Sequence, residues 1–332
     1  MICLGLEGTA HTIGIGLVDH DGNILANRAE MYRPTVGGIH PREAANHHAK
    51  KIHPLLLSAL EDAGISLSNL ELIAFSQGPG LGPSLRTVAT AARALSLSLG
   101  IPIIGVNHCI AHLEIGRIVT HCRDPVLLYL SGGNTQVISY ANGRYRIFGE
   151  TLDIGLGNLL DKFGREVSFP FPSGPLVEKA ALKGSELLSL PYTVKGMDVA
   201  FSGILTAALT LHRNGSRLED LCFSLQEVTF SMVTEVAERA MAHLEKDEIL
   251  LGGGVACNSR LQEMVSTMAE ERGADMTVPP PEFCVDNGAM IAWTGLLMHR
   301  SGVRMGIEDT MVEQNMRTDS TEVPWLSPGT TA

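Results

Sequence analysis

No C-x-x-C pair occurs in this chain, and its six cysteines, Cys3, Cys109, Cys122, Cys222, Cys257 and Cys284, are scattered. That argues against a disulfide framework and fits a reduced, cytosolic protein. No apolar run is long enough to span a bilayer. The N-terminus enters a strand-like run at once (Ile2 to Leu6), with no basic leader or signal-peptide hydrophobic region. These absences predict a soluble, cytoplasmic protein with no membrane partner. Positive charge is scarce: 25 Lys and Arg stand against 36 Asp and Glu, for a formal net charge of -11. Phosphate contacts need Lys and Arg, so the balance argues against a free-standing nucleic-acid binder unless a local basic patch or a basic partner overrides it. There is no Walker G-x-x-x-x-G-K-[ST] loop and no G-x-G-x-x-G after a strand, which removes the two commonest nucleotide fingerprints.

What is present is a long, apolar, glycine-rich chain. Its 332 residues suit two domains, and 45% hydrophobic with 18% charged residues fits a folded globular protein. The opening segment reads as a strand (ICLGLEGT), a second strand (TIGIGLVD), a turn at His20-Asp21-Gly22-Asn23 and a third strand (ILANRAEM). Residues 126–151 repeat that plan with VLLYLSGG, NTQVISYA, a turn at Asn142-Gly143, and YRIFGET. The repeat predicts two related domains. After each hairpin set, helices and buried strands alternate. Helices are expected at 41–63, 83–99, 107–121 with Asn107 as cap, 155–168, 173–183, 202–213, 217–244, 257–272 and 286–300. LIAFSQ, IPIIGV and EILLGGGV read as strands among them. The fold class is α/β: in each half a sheet covered by helices, with a ligand cleft expected between the halves.

Four segments expose bare backbone at element ends: Glu7-Gly8-Thr9, Ser131-Gly132-Gly133-Asn134, Ser173-Gly174-Pro175 and Gly252-Gly253-Gly254. Each alone reads as a tight turn; four across both halves favour an anion or nucleotide site. After the last, Asn258 opens a helix, as a cap or as a partner for nucleoside hydroxyls. The stretch FSQGPGLGPSLR reads as a rigid surface loop before a helix, with a partner contact as its alternative role. In VNHCIAHLE, His108 and His112 stand one helical turn apart and share a side. They are either two polar residues in register or part of a metal site. Asp286, in FCVDNGAM, is a helix cap on its own; two imidazoles and a carboxylate with open positions suit Fe(II) or Zn(II). No H-E-x-x-H occurs, because Cys109 stands where the water-activating Glu belongs, while Glu114 lies beyond the second histidine.

Nearly end to end the chain resembles the tRNA threonylcarbamoyladenosine transferase family in its archaeal and eukaryotic form, the catalytic subunit of the KEOPS complex. The matching blocks occur in the family's order: LGLEGTAHT, GGIHPREAANHHA, QGPGLGPSLR, VNHCIAHLE, YLSGGNTQV, GETLDIGLGNLLDKFGRE, VKGMDVAFSG, LLGGGVACN, DNGAMIAWTG and MRTD. Two departures bear on packing near the substrate: Gly164 stands where Ala is usual, and Ser173 and Leu176 vary a segment that often reads PGGPKIE. The resemblance implies two duplicated actin and sugar-kinase-like (ribonuclease H-like) domains. The first covers 1–123 and is completed by a C-terminal helix at about 290–326; the second covers 124–289; residues 327–332 form a tail or linker.

It implies one Fe(II) per chain, with Zn(II) as the alternative, held by His108, His112 and Asp286, with Tyr129 as a further contact. Ser131, Gly132, Gly133, Asn134, Asp161, Gly174, Glu178, Gly253, Gly254 and Asn258 would meet an adenine nucleotide or threonylcarbamoyl-AMP. The implied reaction moves the threonylcarbamoyl group to the N6 amine of the adenosine beside the anticodon. The implied partners are tRNA, a small atypical kinase and small accessory subunits. The stretch with His40, Arg42, His47, His48, Lys50, Lys51 and His53 reads as a solvated helix face or as a basic surface seating tRNA. An ATP-hydrolysing, kinase-like enzyme is the rival on the same fold, with Glu7 its nearest catalytic carboxylate; otherwise Glu7 is a strand end facing solvent. A metallo-glycopeptidase and a nucleotide-binding scaffold are the remaining alternatives.

Overall fold

The computed structural model describes residues 1–34 and 38–326; the expected tail at 327–332 lies outside the described residues. The chain divides into two compact units. One comprises Met1–Val119, Ala141–Tyr145 and Val285–Ala332; the other comprises Thr120–Tyr140 and Arg146–Cys284.

The first unit opens with β1 (Ile2–Glu7), β2 (Thr12–Asp19) and β3 (Ile24–Met31), the expected antiparallel set. The helix α1 (Pro41–Ala63), the strand β4 (Leu72–Gly78), the helix α2 (Gly82–Leu99), the strand β5 (Ile103–Asn107) and the helix α3 (His108–Thr120) follow. The sheet order is β3-β2-β1-β4-β5. β1 is central, antiparallel to β2 and parallel to β4, and Cys3 through Glu7 are all buried. That is the burial of a strand covered on both faces, and it explains the unbroken apolar run ICLGL.

The second unit repeats the plan. It contains β6 (Val126–Leu130), β7 (Thr135–Ala141), β8 (Arg144–Glu150), α4 (Leu156–Glu166), α5 (Gly174–Ala181), β9 (Val194–Lys195) and β10 (Asp198–Val199). Then come α6 (Ser202–Arg213), α7 (Leu218–Leu244), β11 (Glu248–Gly252), α8 (Ser259–Glu271), β12 (Asp275–Thr277) and α9 (Pro281–Cys284). The large sheet runs β8-β7-β6-β11-β12, the first sheet's order with β6 in the place of β1. The core is filled by Phe163, Phe201 and Phe230, all fully buried, among aliphatic side chains of α4, α6 and α7. The small β9–β10 hairpin, β12 and α9 were not expected; each is too short to show a period in sequence.

The chain returns to the first unit as α10 (Gly288–Arg300). The helix expected over about 290–326 is corrected: α10 ends at Arg300, and the rest is a strap of loops and single turns. Its backbone carbonyls are met by buried polar side chains. Gln77 donates to the carbonyls of Asp309 and Met311, and Asn107 donates to that of Arg317. The stretch FSQGPGLGPSLR is therefore no surface loop. It lies under the strap, where a Cβ on Gly78 would fall 1.9 Å from the Glu313 carbonyl oxygen.

The two departures from the family pattern meet in space. A Cβ on Gly164 would lie 2.2 Å from the Ser173 Cβ and 2.4 Å from its Oγ. Ser173 is itself buried, so the methyl absent from α4 is replaced by the serine side chain. Gly164→Ala alone should destabilise by about 1–3 kcal/mol through overpacking. Adding Ser173→Gly should restore stability to near the wild-type value, because Ala regains about 1 kcal/mol of helix propensity over Gly. Thermal melts of both single variants and the double variant check this; additive single effects would refute the coupling.

Candidate metal centre and anion-facing loops

The histidines are placed by a cap. Asn107 Oδ1 accepts from the backbone N–H groups of Cys109 (3.0 Å) and Ile110 (3.3 Å), as its expected role requires. α3 thus begins at His108, with His112 one turn later; the ring centroids are 4.8 Å apart and nearly perpendicular, at 83°. At the start of α10 the cap is Asn287, whose Oδ1 accepts from Met290 N–H at 3.0 Å. Asp286 is thereby released from capping. Its Oδ1 lies 3.4 Å from His108 Nε2 and 3.3 Å from His112 Nε2, and one donor atom from each of the three falls within 4.8 Å of the others. The sequence division placed Asp286 in the second half; the structure places all three in the first unit.

Glu7 is the residue that sequence reasoning misplaced. It is wholly buried, not a solvent-facing strand end. Oε1 accepts from Thr9 N–H and Thr9 Oγ1–H, each at 2.7 Å, and Oε2 accepts from His108 Nδ1–H at 3.1 Å. A carboxylate only accepts, so Nδ1 carries a proton, which leaves Nε2 as the ring atom that faces Asp286 and could meet a metal. The EGT turn ending β1 gave no sign of this; a partner 101 residues away is not readable from local pattern.

Electrostatics fit a cation. Burial pushes the His108 ring toward neutrality, but the carboxylates of Glu7 and Asp286 outweigh it and raise its pKa to about 9. Burial would lift Asp286, yet the rings of His108 and His112 hold its carboxyl far below the usual range. His112 is pushed down by burial and by His108. Two carboxylates around buried imidazoles favour one positive charge at this point, carried by a proton or by a metal ion. The donor set of two imidazole nitrogens and one carboxylate oxygen suits a first-row divalent metal. Glu7→Gln keeps the shape but removes the charge behind His108. It should weaken metal affinity about 10–100-fold. Titration of the purified protein with Zn(II) checks this; unchanged affinity would remove Glu7 from the site.

The two carboxylates named for the rival readings are both occupied. Both oxygens of Glu7 are engaged, so it is not free to deprotonate an acceptor. Glu114 is equally occupied: Oε1 accepts from Tyr145 O–H at 2.6 Å and Trp325 Nε1–H at 2.8 Å, and Oε2 accepts from Arg117 at 3.0 Å. The histidine-rich face of α1 is only partly solvated, because His48 is wholly buried and Lys51 and His47 both approach Glu30.

The remaining expected residues lie in the second unit. Tyr129, on β6, is fully buried there. After β6 the chain turns through Ser131–Asn134, closed by Ser131 N–H to the Asn134 carbonyl at 2.8 Å. A Cβ on Gly133 would meet nothing within 4 Å, and one on Gly132 only Asn158 Oδ1 at 3.6 Å. The loop therefore leaves open space beside its glycines at a strand end. β11 runs parallel beside β6 and ends on Gly252. There Gly253 takes φ +85°, with its Cβ position 2.3 Å from the Leu130 carbonyl oxygen. Only glycine passes that gap, so Gly253 and Gly254 are held next to the first loop, at the carboxyl ends of adjacent parallel strands.

Asp161 Oδ1 accepts from Ser173 N–H at 2.7 Å just before Gly174, and Glu178 Oε1 accepts from Ser259 N–H at 2.8 Å. Asn258 is a helix cap: Oδ1 accepts from the N–H groups of Arg260 and Leu261, and Nδ2 donates to Gln226. The structure thus gathers three of the four glycine loops, Asp161, Glu178 and Asn258 within one unit, while Glu7-Gly8-Thr9 lies in the other.

Comparison with known proteins agrees with this picture. Residues 22–293 match the family model described as tRNA N6-adenosine threonylcarbamoyltransferase. The tRNA N6-adenosine threonylcarbamoyltransferase of Thermococcus kodakarensis is 58% identical over 98% of this chain and 100% of its own length. The probable bifunctional tRNA threonylcarbamoyladenosine biosynthesis protein of Methanocaldococcus jannaschii is also 58% identical, but this chain spans only 61% of its length. Among solved structures, HypF from T. kodakarensis superposes with a TM-score of 0.64 at 15% identity, covering 94% of this chain and 49% of HypF. Component A of the Acidaminococcus fermentans (R)-2-hydroxyglutaryl-CoA dehydratase gives 0.58 at 12%, covering 89% of this chain and 98% of that chain. Both likenesses concern the fold.

Proposed function

Because this chain belongs to the tRNA N6-adenosine threonylcarbamoyltransferase family, we propose that it transfers the threonylcarbamoyl group of threonylcarbamoyl-AMP to the N6 amine of the adenosine beside the anticodon of tRNA. The observation that carries this reading is the donor cluster of His108, His112 and Asp286, backed by Glu7, in a chain with so close a full-length relative. His108, His112 and Asp286 would hold a divalent metal, with Fe(II) the proposed ion and Zn(II) the alternative. When bound, it supplies a Lewis acid that orients and polarises the carbonyl under attack. The protein's own residues do the rest. Glu7 fixes the ring and tautomer of His108. In the second unit, the bare backbone of Gly132 and Gly133 suits phosphate or carboxylate oxygens, and the carboxylates of Asp161 and Glu178 would accept from ribose hydroxyls. The acyl group arrives activated, with AMP as leaving group, so no base for phosphoryl transfer is required.

The acidic charge favours borrowed RNA affinity. The proposed partners are the small atypical kinase and small accessory subunits of the KEOPS complex, in the cytoplasm; among the described residues no helix is long and apolar enough to cross a membrane. The test is a reconstitution with tRNA and synthetic threonylcarbamoyl-AMP, with and without partner proteins, read by nucleoside mass spectrometry. The expected result is N6-modified adenosine that disappears with a chelator and returns with Fe(II). Steady ATP turnover without tRNA and without modified nucleoside would instead support the kinase-like reading.

A further inference from the structure

The basic, histidine-rich run that forms α1 has no part in the metal centre or the anion-facing loops. Between Tyr32 and Leu60 the sequence holds four Lys and Arg (Arg33, Arg42, Lys50 and Lys51) and a single carboxylate, Glu43, in a chain whose net charge is -11. The helix sorts its residues by face. Ala44, His48 and Leu56 are buried on the inward side. Arg42, Asn46, Lys50 and His53 are exposed on the outward side. Their steps of four, four and three residues lay them in one stripe, about 16 Å long. The carboxylates nearby are turned elsewhere: Glu43 accepts from the Tyr32 hydroxyl, and Glu30 is taken by Lys51 and faced by His47. Arg33, Arg42 and Lys50 are exposed and have no ion pair among the described residues. The inward side of the same helix reaches the back of the metal centre. His48 Cδ2 lies 3.2 Å from where a Gly8 Cβ would stand, and Gly8 follows Glu7, the carboxylate that holds His108. Just before α1, Tyr32 N–H donates to the His11 carbonyl at 2.8 Å.

We propose that this stripe of α1, with Arg33 beside its first turn, is a contact surface for the RNA sugar-phosphate backbone, on which the anticodon arm lies while its adenosine meets the metal centre; the choice of RNA rests on the transferase reading above. Arg and Lys neutralise phosphates, and Asn46 donates to a phosphate oxygen or a ribose hydroxyl without reading sequence. An acidic protein would meet the same cations. RNA is favoured because the substrate that must reach the centre is itself a polyanion, and this helix packs against the turn behind that centre.

The test measures binding of a fluorescent anticodon stem-loop to the full chain by anisotropy, from about 50 to about 200 mM salt. In the triple variant Arg33→Gln, Arg42→Gln, Lys50→Gln, affinity should fall at least ~10-fold at the lowest salt. The slope of log affinity against log salt should drop by about 2–3, at roughly 0.7–0.9 per lost phosphate contact. The triple variant Lys183→Gln, Lys195→Gln, Arg213→Gln removes the same charge from exposed positions of the second unit and should leave the slope unmoved. Melting temperature and Zn(II) affinity should match the wild type in both. The proposal is overturned if the wild type does not bind the stem-loop at the lowest salt, or if the α1 variant keeps the wild-type slope, which leaves the face to an acidic protein. It is equally overturned if both variants lose affinity alike, which makes the effect one of net charge. RNA binding that depends on α1, in a wild type that forms no modified nucleoside, upholds this surface and refutes only the transferase reading.

Discussion

Replacing His112 with alanine should abolish metal binding and lower tRNA modification at least ~100-fold, more than loss of an outer-shell partner would cost. The fold should survive, since Asp286 keeps His108 at 3.4 Å when the His112 ring is removed. Replacing His108 should remove the same activity and also destabilise. It strips Glu7, wholly buried, of its imidazole partner and leaves Asp286 with one ring. A buried charge deprived of its partner costs roughly 3–5 kcal/mol, so His108→Ala should melt well below His112→Ala. A second readout is independent of activity. Metal at about 100 times its Kd should stabilise the wild type by about 2.7 kcal/mol and leave both variants unmoved. Modification that persists in a metal-free double variant would refute the site.

The second large effect is expected at a glycine, which offers no donor atom of its own. Gly5 and Gly16 face each other across β1 and β2, and α10 lies directly on that glycine pair. A Cβ on Gly288 would fall 2.1 Å from the Gly16 nitrogen and 2.3 Å from the Ile15 carbonyl carbon, both backbone atoms that cannot step aside. Gly288→Ala must lift the start of α10 from the sheet, and Asp286 is two residues upstream. The expected cost is at least ~3 kcal/mol, at the upper end for overpacking, with Tm lowered by about 5–10 °C and metal affinity lost with it. Gly100→Ala is the control: φ is +66° but nothing lies within 4 Å, so it should cost only about 1 kcal/mol of backbone strain. If both variants melt alike, collision with the sheet is not what requires Gly288.

The contrast between these positions shows what pattern can and cannot convey. The long helices were legible because each buries one face at a helical period, and their observed ends lie within two residues of those expected. The duplicated hairpins were legible because alternation and Asp-Gly or Asn-Gly turns are local signals. Glu7, Glu114 and the strap after Arg300 were not. Glu7 reads as the polar end of a strand until a histidine 101 residues later is folded against it. Glu114 reads only as a carboxylate beyond the second histidine until Tyr145 and Trp325 arrive. The strap has no period of its own: its single turns are too short to show one, and Gln77, Arg93 and Asn107 anchor it from elsewhere in the unit.

For the candidate centre, the sequence by itself determined that His108 and His112 share a helix face, since a four-residue spacing and an Asn cap suffice for that. It also determined the duplicated α/β plan, because apolar periodicity is set residue by residue. Only the tertiary structure decided that Asn287 takes the capping role and frees Asp286, that Asp286 sits in the same unit as the histidines, and that Glu7 is turned inward to hold one of them. Those outcomes depend on which backbones can approach, and the approach of α10 to β1 and β2 is governed by glycines whose purpose appears only when the helix is laid upon them.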